Sequence, residues 1–179
     1  MNQTFDSNSA QPPAGSSRTD QVSGQIAQLT QQAQNGAKNF YWIAGLSVVN
    51  SLITAFGGNF YLVMGMAVTL VVDYIAVGMA GEVPEMRMIF TVVAVVISLI
   101  LSGITALFGF LAMKGKSWAY ITGMVFYGID TLIMLVLQDW VGFAFHLFFL
   151  YALFTGLRAL NQLKKLAPAR QMDFPQNIG

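Results

Sequence analysis

From Met88 to Met113 the chain reads MIFTVVAVVISLILSGITALFGFLAM, without one charged side chain. A helix of that length rises about 39 Å, more than the ~30 Å hydrocarbon thickness of a bilayer. Thr91 to Leu101 is rich in Val and Ile and has strand-like propensity. The length of the run and its lack of breakers favour a spanning helix instead. Similar apolar stretches lie at Phe40–Phe56, Tyr61–Ala80, Trp118–Leu137 and Trp140–Leu160. Only 9% of the residues are charged, against about 25% in soluble domains. A soluble chain of this kind would expose apolar surface and aggregate, so lipid is the expected solvent. The predicted fold class is all-α: a membrane helical bundle of about five transmembrane helices (40–56, 61–80, 88–113, 118–137, 140–160), preceded by an amphipathic N-terminal helix.

Residues 1–18 are rich in Asn, Gln, Ser and Pro and are expected to be a disordered polar tail. No apolar run flanked by basic residues marks them as a signal peptide. Over residues 19–38, Val22, Ile26, Leu29 and Ala33 recur at one helix face while Gln dominates the other. This amphipathic Gln-rich helix has too few cations for a membrane-surface helix and reads as a lead-in docked on its own bundle or on a neighbour. Gly36 is expected to loosen its connection to the first span. Residues 161–179, with Lys164, Lys165 and Arg170, read as a basic cytoplasmic tail ending in coil.

Five spans put the termini on opposite sides. Lys and Arg favour the cytoplasm. Lys114, Lys116, Arg158, Lys164, Lys165 and Arg170 then face it, and Arg18, Lys38 and Arg87 face away. The expectation is a multi-pass protein with its N-terminus outside and its C-terminus cytoplasmic.

Composition also excludes chemistry. With no cysteine, disulfides, zinc–thiolate sites and iron–sulfur clusters are ruled out. One histidine is too few for bis-histidine haem or for the usual intramembrane zinc sites. No metal or cofactor is expected. A net charge of +1 gives no basic surface for nucleic acid. The expected partners are the lipid bilayer, and further copies of the chain or other subunits of a membrane complex.

A charge in mid-membrane costs roughly 2.5–3.5 kcal/mol on insertion scales, so each one needs an explanation. Counting helix rise, Asp73, Asp130 and His146 fall about 10–13 Å below one face, with Asn50 and Ser98 about 15 Å deep. These five form the candidate intramembrane polar site. In one reading they converge, and two carboxyl groups with a nearby imidazole bind a proton or cation. In the other, Asp130 and His146 bond each other across a hairpin, while Asn50 and Asp73 make interhelical hydrogen bonds.

Two enzyme patterns are incomplete. Gly128–Ile129–Asp130 lacks the second glycine of intramembrane aspartyl proteases. Ser102, as a rhomboid-like nucleophile, lies about 11 Å from the depth of His146, beyond the reach a base needs. The first and third spans end alike, in Ile53–Thr54–Ala55–Phe56–Gly57 and Ile104–Thr105–Ala106–Leu107–Phe108–Gly109. The second and fourth share a Tyr…Gly–Met…Asp spacing. This is either a parallel repeat of two helices or the likeness of apolar composition.

Phe40–Tyr41–Trp42–Ile43–Ala44–Gly45–Leu46–Ser47–Val48–Val49–Asn50–Ser51, with Gln138–Asp139–Trp140…Gly142…Phe145–His146, resembles a family of small uncharacterised bacterial multi-span membrane proteins. The resemblance covers about Gly36 to Leu160. It implies the bacterial cytoplasmic (inner) membrane, places Asn50 and His146 in the family's recurring pattern, and implies no activity. The expected function is that of a non-enzymatic integral membrane protein, an accessory or assembly component. The alternative is a small transporter or channel for protons or a cation, built on the Asp/Asp/His layer.

Overall fold

A computed structural model describes residues 14–58, 62 and 65–172, with side chains between residues 20 and 166 of these. Every regular element among them is helical. They are α1 (Ala14–Ala55), α2 (Ala67–Glu82), a single 3-10 turn Pro84–Met86, α3 (Arg87–Met113), α4 (Ser117–Val136) and α5 (Trp140–Met172). Residues 1–13 and 173–179, the ends of the two expected tails, lie outside the described residues.

The Gln-rich segment and the first expected span are one 42-residue helix. Gly36 does not loosen it, because no proline interrupts the hydrogen-bond ladder and the missing side chain is needed for packing. A β-carbon at Gly36 would meet the Cα of Gly156 at 2.5 Å, so α1 and α5 touch backbone to backbone there. Leu29 and Ala33 are buried with Ala159 and Leu160, and Leu163 and Leu166 pack beside them. That contact also carries α5 past Leu160 as a helix to Met172, through the first part of the segment expected to be a basic tail ending in coil.

Three helix ends share one device. At α1, Gly57 takes φ 79°, and the amides of Gly57 and Gly58 donate to Thr54 and Ile53. Gly115 (φ 76°) and Gln138 (φ 57°) close α3 and α4 with the same pair of bonds. A left-handed residue after the last turn satisfies carbonyls that would otherwise be orphaned. The Pro84 turn ends the α2 segment by another route.

The directions of the helices depart from simple alternation. Near its start, α1 meets the start of α4, where the Tyr120 hydroxyl donates to the Ala33 carbonyl. Further on, Phe40 and Ala37 flank Gly109 of α3. The last turn of α1, with Thr54 and Ala55, lies beside Thr91 near the start of α3. So α3 is antiparallel to α1 and α4 is parallel to it. By the Gly36–Gly156 contact and the His146–Asp130 contact, α5 is antiparallel to both.

The unexpected element is α2. Its first residues meet Ser47, its middle meets Ser51, and Ala80 and Gly81 lie beside Thr54 and Ala55. It therefore runs parallel to α1. Leu62 lies beside Asn50, and α2 starts at the level of Ser47, inside the bundle. It returns to the end it came from. Of the expected second span, 61–80, the described regular element is the 16-residue helix α2, which begins at Ala67. The start of α1 and the end of α5 consequently share one end of the bundle, not opposite ends. A parallel repeat is overturned too, since α1 and α3 run in opposite directions.

Among the described residues, three helical stretches, Pro84–Met113, Ser117–Val136 and Trp140–Leu166, are long and apolar enough to cross a membrane. Their outer faces are apolar and exposed: Ile100 and Leu107 on α3, Phe126 and Leu132 on α4, Phe148 and Phe154 on α5. A contiguous apolar surface of this extent is foreign to water-soluble monomers. Trp118 (54% exposed) and Trp140 (67%) stand at the two ends, about 30 Å apart along the α4–α5 hairpin, as interfacial anchors do. Phe40, from the aromatic cluster that opens the first expected span, is buried instead.

Candidate functional site

The start of an α-helix leaves its first four backbone N–H groups without helical partners. For α2 these groups lie inside the bundle, where an unpaired polar group costs ~1–3 kcal/mol. Ser47 of α1 accepts the Met66 amide on its hydroxyl at 2.7 Å and donates to the Ile43 carbonyl. The carboxylate of Asp130 takes the next two: Ala67 N–H on Oδ2 and Val68 N–H on Oδ1, both at 2.8 Å. An acid from α4 thus performs the capping that Ser, Thr or Asp performs locally in most helices. No side chain at Met66 caps α2 itself. The positive end of the α2 dipole favours a carboxylate there.

His146 completes the arrangement. Its Nδ1 lies 2.7 Å from the Gly142 carbonyl, which can only accept, so Nδ1 carries a hydrogen. Its Nε2 lies 3.1 Å from Asp130 Oδ2, and two acceptors at that distance require a proton between them. Tyr127, one turn before Asp130, stacks on the imidazole with ring centres 5.0 Å apart and planes at 9°. His146 is 0% exposed. The local sequence sets this up: Asp139 caps the first turn of α5 through the Gly142 amide. That turn fixes the carbonyl which orients the ring.

Asn50 holds the fold-back. Its Nδ2 donates to the Leu62 carbonyl at 2.8 Å, and its Oδ1 accepts the Leu62 amide at 2.5 Å. Irregular backbone at membrane depth is tolerated only when protein groups satisfy it, and one amide side chain satisfies both groups of Leu62. A β-carbon at Gly65 would meet Asn50 Nδ2 at 2.5 Å, so the close approach requires glycine. Replacing Asn50 with alanine should cost about 2 kcal/mol or more, by stranding two backbone groups. Gly65→Ala should act in the same direction by displacing the same amide. Unfolding titrations in detergent check both, and stability unchanged in each would remove Asn50 from this role.

Asp73 stands apart from the pair. It accepts the Ser51 hydroxyl at 2.8 Å, and α2 rises about 8 Å between Val68 and Asp73. Ser98 is fully buried, and its hydroxyl has no partner among the described residues. Of the five candidate residues, Asp130 and His146 are therefore in contact, Asn50 of α1 binds Leu62 ahead of α2, Asp73 of α2 binds Ser51 of α1, and Ser98 makes no side-chain bond among the described residues. The Ser102 hydroxyl is unpartnered as well, and both His146 nitrogens are engaged elsewhere. Among the described residues, no group of three His, Cys, Asp or Glu is placed to hold a metal. Ser47 and Ser51 were not singled out from the sequence. The signal was the Ser47–Asn50–Ser51 spacing of i, i+3, i+4, which puts three small polar groups on one face of α1.

No protein family, curated protein or solved structure matches the chain.

Proposed function

We propose that the chain is a non-enzymatic integral membrane protein, an accessory or assembly component of the bacterial cytoplasmic membrane. The observation that carries this reading is the closure of the central polar pair on the protein itself. Both Asp130 oxygens accept backbone amides, and both His146 nitrogens are engaged. Every polar side-chain atom of the pair is thus engaged with another described residue. The transporter reading asks for Asp73, Asp130 and His146 around one wet cavity, and the recess that Asp73 lines is walled by neither Asp130 nor His146. What remains for recognition is the end where α1 begins. There Gln28, Gln31, Gln32, Asn35 and Asn39 line a shallow groove of about 320 Å³ against Ala152 and Thr155 of α5.

In the membrane the protein has four crossings, α1, α3, α4 and α5, with α2 re-entrant. Charge supports this strongly. Of the nine Lys and Arg, eight (Arg18, Lys38, Lys114, Lys116, Arg158, Lys164, Lys165, Arg170) lie at or near the end where α1 begins. Only Arg87 lies at the other, with Glu82, Glu85 and Asp139. By the positive-inside rule both termini are cytoplasmic, which reverses the outside N-terminus expected from five spans. The bacterial inner membrane is taken from the family resemblance.

The chain contains no cysteine, so single-cysteine variants give a clean test. Glu85→Cys should react with a membrane-impermeant maleimide on intact cells, and Gln31→Cys only after permeabilisation. Labelling of Gln31→Cys from outside would sink the four-crossing topology. A photoreactive maleimide on Gln31→Cys should also crosslink a distinct partner chain in native membranes. Only monomer in that experiment would sink the accessory role.

A further inference from the structure

A cleft between the end of α1, α2 and the start of α3 opens at the end of the bundle that carries Arg87. Its outer part, about 240 Å³, is lined by Thr54, Ala55, Val77, Ala80, Arg87 and Thr91. It adjoins, through shared walls at Thr54, Ala55, Val77 and Thr91, a recess of about 10 Å³ beside Asp73 and Ser51. A space of that size holds one water-sized group.

The two charges at the ends of this cleft are both unmatched. Asp73 is 3% exposed, and its single hydrogen bond among the described residues comes from the Ser51 hydroxyl. The only ion pair among the described residues is Asp130 with His146, so neither Asp73 nor Arg87 is ion-paired there, although Glu82 and Glu85 precede Arg87 by five and two residues. A buried carboxylate without a counter-charge is costly. Divalent metal is a poor match, because such ions gather several oxygen ligands, usually including more than one carboxylate, and no acidic group of that kind is present among the described residues. A ligand carrying both charges satisfies both ends. The recess admits a primary ammonium and is too small for a trimethylated one. The wider outer cleft takes an anionic group within reach of Arg87, whose guanidinium is suited to phosphate or carboxylate.

We propose that this cleft binds a primary-ammonium zwitterion, with its ammonium on Asp73 and Ser51 and its phosphate or carboxylate on Arg87. That chemistry belongs to the phosphoethanolamine headgroup of a membrane lipid and to a free amino acid alike. The site uses none of the Asp130–His146 machinery. It rests on the re-entrant placement of α2, which the Gln31→Cys labelling tests separately.

The experiment is native mass spectrometry of the purified protein released from nanodiscs holding equal parts of phosphatidylethanolamine, phosphatidylcholine and phosphatidylglycerol. In a second arm, O-phosphoethanolamine or glycine is added to nanodiscs of phosphatidylglycerol alone, and Tm is read. Losing one charged hydrogen bond corresponds to about tenfold or more in affinity. The wild type should retain phosphatidylethanolamine over its trimethylated analogue by about that factor, or gain Tm with the soluble zwitterions. The first result assigns the headgroup and the second a free ligand. Asp73→Asn and Arg87→Gln should each abolish the effect, and exposed Arg87 can be changed without disturbing the fold. Equal retention of the two lipids with no gain from either soluble zwitterion overturns the proposal, as does a preference that survives both variants. A Tm gain from sodium chloride alone that depends on Asp73 but not on Arg87 makes this a bare cation site, and overturns it too.

Discussion

Asp130→Ala should destabilise the protein by about 3–5 kcal/mol, the range seen when one partner of a buried pair is removed. Three groups lose their partner at once. The amides of Ala67 and Val68 are stranded at the start of α2, and His146 loses the oxygen facing Nε2. Asp130→Asn keeps the shape but offers one acceptor in place of two and turns a donor toward a donor. It should cost about 1–3 kcal/mol. Titration with a denaturing detergent, followed by helical circular dichroism, measures both. Hydrogen exchange locates the damage. In the alanine variant the amides of Met66, Ala67 and Val68 should exchange faster, while those in the middle of α3 should not. An alanine variant within 0.5 kcal/mol of wild type, a surface-like effect, would mean that α2 is not held by this carboxylate.

The pairing of Asp130 with His146 was legible because a short hairpin turn puts residues equally far from it at equal depth. What the pair holds was not. The amides of Ala67 and Val68 are backbone, which every residue carries, and no side-chain pattern announces that a particular helix start lies inside the bundle. Asp73 shows the other limit. Its depth followed from counting residues, yet depth does not fix rotation about the helix axis, and rotation aims Asp73 at Ser51 rather than at Asp130. Ser98 shares the layer by depth, and its hydroxyl meets no partner among the described residues for the same reason.

The path of α2 was hidden by an assumption. Alternating each apolar run across the bilayer treats 61–80 as a crossing, and its composition does not distinguish a helix that crosses from one that starts midway. The charges carried the contrary signal. Under alternation Arg18 and Lys38 join Glu82, Glu85 and Asp139 on the outer side; with α2 re-entrant, as we propose, they join the other six cations. The glycines at 57, 58 and 65 bracket the fold-back, and the polar triplet Ser47, Asn50 and Ser51 faces it. Read together, they mark a helix face built to receive backbone rather than lipid.

The contact between α1 and α5 leads to a prediction of sign. Alanine in place of glycine in a helix interior normally stabilises by about 1 kcal/mol. At Gly24 and Gly45, where an added β-carbon meets nothing within 4 Å, that gain should appear. At Gly36 the same methyl would meet the Gly156 Cα at 2.5 Å and the Tyr120 hydroxyl at 2.8 Å. The nearest obstacle is backbone, so rotamer changes cannot relieve it and the two helices must move apart. Gly36→Ala and Gly156→Ala should therefore destabilise, by about 1–3 kcal/mol as overpacking does, despite the better helix propensity. The separation would also break the bond from Tyr120 to the Ala33 carbonyl and loosen Leu29 and Ala33 from Leu160. The four variants on one detergent-unfolding scale provide their own reference: stabilisation at 24 and 45 with loss at 36 and 156 fixes the backbone contact. Stabilisation at all four would mean that α1 and α5 do not touch there. The amide groove beside Gly36 would then lose its wall at Ala152 and Thr155, and with it the surface assigned here to a partner.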